Sequence, residues 1–305
     1  MRPGWLLAGI LLAAPLARGP ASLAVRGSDG WHTWWQRDSA PVQWSAELPA
    51  VAGQIAWREA VPGVEWGELS LAGEAELSRV RVIVARLDPT ALKFRLIKPV
   101  DGPVFGGRWD IGEAPDEAVF AVNAGQFTDQ PWGWLVDEGR ERQRPGTGPL
   151  APGVVVDWSG AVRLVPPDSL VAAGAGARLA FQSYPTLLEG DGTVPLQLRQ
   201  DGMGVDLSHR DARLALGVQR NGRLLIAMTR FEGLGGVLAN LPVGLTTPEM
   251  AAVMGALGAR TAVLLDGGIS CQLLIRDPGE THRWPGWRRV ALGLVAVPRS
   301  TREAR

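Results

Sequence analysis

Arg213-Leu214-Ala215-Leu216-Gly217-Val218-Gln219-Arg220-Asn221-Gly222-Arg223-Leu224-Leu225-Ile226-Ala227-Met228 carries two apolar runs separated by a polar tetrapeptide. An Asn-Gly pair between apolar runs is the strongest short hairpin signal, so Leu214–Val218 and Leu224–Met228 read as an antiparallel two-stranded ribbon. Downstream, Thr247-Pro248-Glu249 offers a capping threonine and a proline at the first helical position. Met250, Val253, Met254 and Leu257 then recur at helical spacing until Gly258 stops the helix. Ala262–Leu265 is a buried strand that runs out into Asp266-Gly267-Gly268-Ile269-Ser270, and a last strand spans Val290–Val297.

Upstream of the ribbon, Val64–Leu71, Val80–Arg86 and Phe94–Ile97 are short runs bounded by Gly, Asp or Pro, which is strand punctuation. Ala118–Val122 ends abruptly in Asn123-Ala124-Gly125-Gln126-Phe127, and Gly153–Asp157 with Ala161–Leu164 flanks a Trp158-Ser159-Gly160 turn. The expected fold is α+β: a mixed, largely antiparallel sheet with packed helices, in one main domain over residues 61–298. Residues 25–60 carry Trp31, Trp34, Trp35, Trp44 and Trp57 without helical or strand period and read as an extension that packs aromatic side chains onto that domain. Residues 299–305 form a tail.

The chain has 305 residues with 31 basic against 31 acidic side chains, a formal net charge of zero. Binding of nucleic acid or an anionic membrane by bulk charge needs a basic excess, so neither is an expected partner, and any phosphate must be gripped locally. Met1-Arg2-Pro3-Gly4-Trp5 followed by the apolar run Leu6–Ala17 has signal-peptide proportions, too short to span a bilayer before Arg18. Residues 1–24 are therefore read as a signal peptide or uncleaved N-terminal anchor, and the protein as exported to a bacterial periplasm or cell surface. The one cysteine, Cys271, has no internal partner for a disulfide.

Two segments break the apolar pattern in the same way: a hydrophobic strand ends in a polar residue and glycine, at Asn123-Ala124-Gly125-Gln126 and at Asp266-Gly267-Gly268-Ile269-Ser270. Glycines there let the backbone turn sharply and approach a ligand, and a helix starting after Gly268 would point free N–H groups at a phosphate. A third segment packs Asp206, His209, Arg210, Asp211 and Arg213 ahead of the ribbon; an arginine at a strand head can offer a planar fork to a phosphodiester. The stretch Phe181-Gln182-Ser183-Tyr184-Pro185-Thr186-Leu187-Leu188 holds the only tyrosine. HExxH, paired CxxC, GxxxxGK[ST] and Gly-x-Ser-x-Gly are all absent, and Ser270, His209 and Asp266 lack the nucleophile-elbow context of a serine hydrolase. Asp266, Asn123 and Asp206 are hard-cation ligand types without calcium-site spacing, so no metal and no cofactor is expected.

In order, these segments resemble the phosphodiester glycosidase family, which is also found in exopolysaccharide-associated bacterial proteins. The matching residues are Ala121-Val122-Asn123-Ala124-Gly125-Gln126-Phe127, Gln182-Ser183-Tyr184-Pro185-Thr186-Leu187, Arg213-Leu214-Ala215-Leu216-Gly217, Leu265-Asp266-Gly267-Gly268-Ile269-Ser270 and Ala291-Leu292-Gly293. The resemblance covers residues 64–297 and implies hydrolysis of a sugar 1-phosphodiester at the glycosidic bond. It implies that Arg213 and the Gly267 and Gly268 backbone hold the phosphate with Ser270, and that Asp266 is the ionised carboxylate at the anomeric centre. Asn123 and Gln126, with Gln182 and Ser183, then bind sugar, and Asp206 and His209 are second-choice acid or base groups. The chain departs from the family at Met228-Thr229-Arg230-Phe231, where members often carry aspartate and glycine, at Gln126, where an aromatic is common, and at Cys271, where serine or threonine is common. The competing reading is a non-catalytic envelope module binding a phosphate-bearing glycan or peptidoglycan, with the tryptophans as its sugar platform.

Overall fold

The computed structural model describes residues 21–73, 79–97, 108–232, 241 and 243–299. The cationic, apolar start that reads as an export signal lies mostly outside them. Among the described residues the strands form three sheets, and every pairing is antiparallel. The nine-stranded sheet runs Thr186–Leu188, Ala259–Leu264, Leu214–Gln219, Leu224–Phe231, Arg79–Leu87, Val64–Ala72, Ser22–Gly27 and Gly30–Gln36, with Arg58–Val61 also on Val64–Ala72. A second sheet orders Glu280–Trp284, Leu273–Asp277, Phe120–Asn123, Gly293–Pro298 and Leu92–Ile97. The third orders Val162–Val165, Gly153–Asp157, Ala177–Gln182, Leu135–Asp137 and Arg140–Gln143.

The large sheet is buried on both faces, which explains why its central strands read as continuous apolar runs. Alternate residues of one strand serve two cores: Ile83, Ala85 and Leu87 face one, Val80, Val82 and Val84 the other. Leu214 and Leu216 likewise oppose Ala215, and Ile226 and Met228 oppose Leu225 and Ala227. On the first face the smaller sheets contribute Phe94, Phe120, Val154 and Phe181. On the second lies the helix Thr247–Ala256, all of whose residues are buried. A helix apolar on every side is a core helix, and its side chains pack accordingly.

This helix is the only one of ten residues among those described; Pro49–Ala52, Leu170–Ala173 and Leu196–Arg199 are single turns. The expected packed helices are thus reduced to one, and the architecture is predominantly antiparallel β in a single domain. The helix cap also differs by one position from expectation. Thr246, not Thr247, is the N-cap, because Glu249 returns its side chain to the Thr246 N–H in a capping box. In the ribbon turn Gly222 supplies the positive φ of 81°.

The tryptophan-bearing segment is stitched into the same sheet. Ala24 and Val25 pair with Ala72 and Leu71, and Trp35 is buried in the second core. Trp44 lies so close to Gly255 on the helix that a Cβ there would sit 2.2 Å from its indole.

Candidate functional site

The end of Phe120–Asn123 in the second sheet meets the end of Ala259–Leu264 in the large one. Asn123 makes the junction: its Nδ2 donates to the Asp266 carbonyl at 2.7 Å, and its Oδ1 accepts the Gln272 N–H at 3.0 Å. The Asp266 N–H donates to the Ala124 carbonyl. Asn123 is 1% exposed, so its amide braces Asp266 from beneath rather than opening towards a sugar. Gly125 permits a similar close approach, since a Cβ there would lie 2.2 Å from the Gln182 carbonyl.

The Asp266 carboxyl is accordingly drawn into the protein. Burial pushes its pKa above the ordinary value, and the neighbouring Asp211 charge pushes the same way; hydrogen bonds from Ser270 and the Gly267 N–H and the charge of Arg288 offset part of this. Its Oδ2 is buried with no hydrogen-bond partner among the described residues. A desolvated carboxyl with one unpartnered oxygen at a strand end is a candidate reacting group.

Asp211 completes a pair of carboxyl groups. It heads the segment entering the Leu214–Gln219 strand, with its N–H on the Leu245 carbonyl and its Oδ1 on the Ala212 N–H at 2.9 Å. Gly268, at φ +60°, lets it approach: a Cβ on Gly268 would lie 2.8 Å from Asp211 Oδ2. Gly268→Ala is therefore expected to cost about 1–2 kcal/mol for the left-handed backbone and to displace the Asp211 carboxylate. Thermal melting and initial rates on one preparation check this; a modest stability loss with full activity would remove Asp211 from the site.

Other sequence-selected residues are placed differently. The Arg213 guanidinium is committed to backbone, Nε to the Leu245 carbonyl at 2.9 Å and Nη2 to the His209 carbonyl at 2.7 Å. Its fork is therefore not open as a pair of donors. No helix follows Gly268 beyond the three-residue turn Gly268–Ser270, and the Gly268 N–H donates to the Ala212 carbonyl. The Gly267 N–H favours the charged form of Asp266, so the turn does not present both glycine N–H groups as free donors. Gln182 uses its whole amide within the fold: Oε1 accepts the Trp134 and Gly146 N–H groups, and Nε2 donates to the Gly146 and Ala151 carbonyls. Ser183, fully buried, donates to the Leu264 carbonyl at 2.5 Å.

Gln126 donates to the Tyr184 carbonyl and fixes that loop beside the junction. Asp206 is fully solvent-exposed and closes a turn on the Ser208 and His209 N–H groups, which hold its carboxyl below the usual range. His209 is 61% exposed and reaches Asp211 Oδ2 at 3.7 Å, a long contact. Ser270 is buried with its hydroxyl on the Asp266 carboxyl, and the Cys271 thiol is pushed by burial up to about 12. Neither is an activated nucleophile. Among the described residues no group of three or more His, Cys, Asp or Glu side chains is placed to hold a metal ion.

Arg230 has a visible task. Its Nη2 donates to the carbonyls of Cys271, Trp284 and Pro285, tying the start of the 285–289 segment to the turn behind Asp266. That segment delivers Arg288, whose guanidinium lies 4.6 Å from the centre of the Phe127 ring. Arg288 and Asp211 were not selected from the sequence as site residues. Asp211 stood in the charged cluster, but Arg288 had no motif to mark it. A cavity of about 400 Å³ lined by Pro149, Pro152, Leu164 and Leu188 shares no residue with this cluster.

The phosphodiester glycosidase family model matches residues 116–297, which spans both strand-end turns, the ribbon and the helix. The chain belongs to the phosphodiester glycosidase family. The catalytic domain of zebrafish N-acetylglucosamine-1-phosphodiester alpha-N-acetylglucosaminidase, auto-inhibited by its pro-peptide, superposes with a TM-score of 0.61 at 16% identity, covering 83% of this chain and 87% of that one. A hypothetical protein from Synechocystis superposes with a TM-score of 0.54 at 16% identity, covering 91% of this chain and 68% of that one. At these identities the likeness is one of fold. No curated protein matches the chain. Within the phosphodiester glycosidase fold, the junction of Asn123 with Asp266 is what brings two sheets to one site.

Proposed function

We propose that this phosphodiester glycosidase relative is an exported hydrolase that cleaves the glycosidic bond of a sugar 1-phosphodiester in envelope or exopolysaccharide metabolism. The cationic and apolar start of the chain supports export. The observation that carries the chemistry is the Asp266 carboxyl, desolvated, raised in pKa and unpartnered at Oδ2, with the Asp211 carboxylate across Gly268.

Two carboxyl groups in unlike surroundings are the usual equipment for glycoside hydrolysis. Asp266, the group whose environment favours the neutral form, holds a proton for the departing phosphoryl oxygen. Asp211 faces the oxocarbenium-like centre and takes the proton of the incoming water. The sugar C1–O bond breaks, water supplies the new hydroxyl, and free sugar and a phosphomonoester leave; both carboxyls are reset by exchange with solvent. This reverses the ionisation expected for Asp266 from sequence, because burial penalises its charged form.

The test is product analysis by proton and phosphorus NMR after incubation with a panel of sugar 1-phosphodiesters. Free reducing sugar and phosphomonoester in equal amounts are expected. Glycan binding without turnover across the panel would instead establish the non-catalytic envelope module.

A further inference from the structure

We propose that Arg288, stacked on Phe127 at the mouth of the Asp266 cluster, is the clamp for the phosphoryl oxyanions of the ligand. This deepens the phosphodiester reading and rests on it for the identity of the anion. The position of Arg288 is fixed by the turn that carries Asp266: its backbone N–H donates to the Ile269 carbonyl at 3.0 Å, and the Trp287 N–H donates to the same oxygen at 2.8 Å. Phe127 comes from the other half of the junction, just beyond Asn123. The guanidinium thus bridges the two strand-end turns, and its charge is felt at Asp266.

What distinguishes Arg288 from its neighbours is what it leaves free. Arg289 binds Asp110, Glu113 and the Arg108 carbonyl. Arg213 and Arg230 are committed to carbonyls, as described above, and Arg108 donates to the Thr128 and Asp129 carbonyls at 2.9 and 2.7 Å. The exposed Arg288 guanidinium has no hydrogen bond and no carboxylate within 4.0 Å among the described residues. The ring face holds the guanidinium in place without consuming its N–H donors, and a planar guanidinium with free donors is suited to bidentate oxyanion recognition.

A second cation reinforces the field. Arg108 lies 4.9 Å from the centre of the same ring, so two guanidinium groups share Phe127. Both cations add to the positive potential around that ring. Burial raises the Asp266 pKa, which lessens the negative charge this carboxyl sets against a bound oxyanion. A chain of zero net charge thereby acquires a local anion site without altering its charge count.

The experiment titrates phenyl phosphate and inorganic phosphate into the full chain by calorimetry at low and moderate salt, for wild type, Arg288→Ala, Arg288→Lys and Phe127→Leu. Arg288 is exposed, so its variants should melt with the wild type; Arg140→Ala, on a strand of the third sheet, serves as control. The expected result is saturable, salt-sensitive binding, weakened about tenfold or more in Arg288→Ala, partly retained in Arg288→Lys, weakened in Phe127→Leu and unchanged in Arg140→Ala. In turnover, Arg288→Ala should raise KM for a sugar 1-phosphodiester more than it lowers kcat. Absence of phosphate binding in the wild type, or equal affinity in Arg288→Ala, overturns the clamp. Intact phosphate binding with no turnover of any phosphodiester overturns the hydrolase reading and leaves the clamp standing.

Discussion

Asp266→Asn should lower kcat/KM for a sugar 1-phosphodiester by about 10²- to 10⁴-fold, the range that a positioned general acid contributes. Phosphate is a good leaving group, which places the effect towards the lower end. The fold should survive, because the replacement keeps an acceptor for Ser270 and for the Gly267 N–H and removes a carboxyl that burial makes costly to ionise. The sign of the accompanying stability change follows from that raised pKa. Below the unfolded carboxyl range Asp266 is protonated in both states and contributes no difference. As pH rises through that range towards the folded pKa, the unfolded chain gives up its proton first, and the wild type loses stability relative to Asp266→Asn. Melting curves should therefore coincide in acid and separate with increasing pH, the variant being the more stable at neutrality. In the wild type, kcat/KM should fall on the alkaline side as Asp266 loses its proton, and that limb should vanish from the residual rate of the variant. A folded Asp266→Asn with wild-type rate and an unchanged pH profile would remove Asp266 from the chemistry.

The part of this site that was legible in the sequence is the part built on buried strands. Val80–Arg86 and Leu214–Val218 read clearly because both faces of their sheet are covered, and Asp266 stood out because a polar residue followed by two glycines interrupts such a run. Gly30–Gln36 was not read as a strand for the opposite reason: only Trp35 of its seven residues is buried, so backbone pairing holds it without an apolar alternation. The roles of motif residues were harder to read than their positions. Gln182 and Asn123 are polar residues at strand ends, which from sequence resemble ligand contacts, yet both satisfy buried backbone groups where two sheets join. Arg288 was invisible because its significance lies in what it stacks on, and Phe127 arrives from a distant turn.

Arg210→Ala should be the most destabilising substitution around the site, at about 3–5 kcal/mol, reduced towards the lower figure by the access of water to the arginine itself. The pair is lopsided. The Glu249 side chain is 0% exposed and that of Arg210 36%, with both guanidinium Nη atoms 2.7 Å from the two carboxylate oxygens. Removing the arginine strands a carboxylate in the core with only the Thr246 N–H to hold it. Removing the carboxylate's charge instead, as in Glu249→Gln, leaves an arginine that can turn to solvent and an amide that can still accept the capping bond, so a smaller loss is expected. The double variant Arg210→Ala with Glu249→Gln should consequently be more stable than Arg210→Ala alone, a reversal that urea denaturation of the three variants can read directly. The pair also anchors the next residue along: Asp211 hydrogen-bonds Leu245, and Arg213 reaches the same carbonyl, both beside the helix cap that Glu249 closes. Loss of Arg210 should thus lower kcat at temperatures where the protein remains folded, through a loosened Asp211, with activity partly recovered in the double variant. If Arg210→Ala and Glu249→Gln destabilise equally, and the double variant is the sum of the two, the buried carboxylate is not what makes this anchor costly to break.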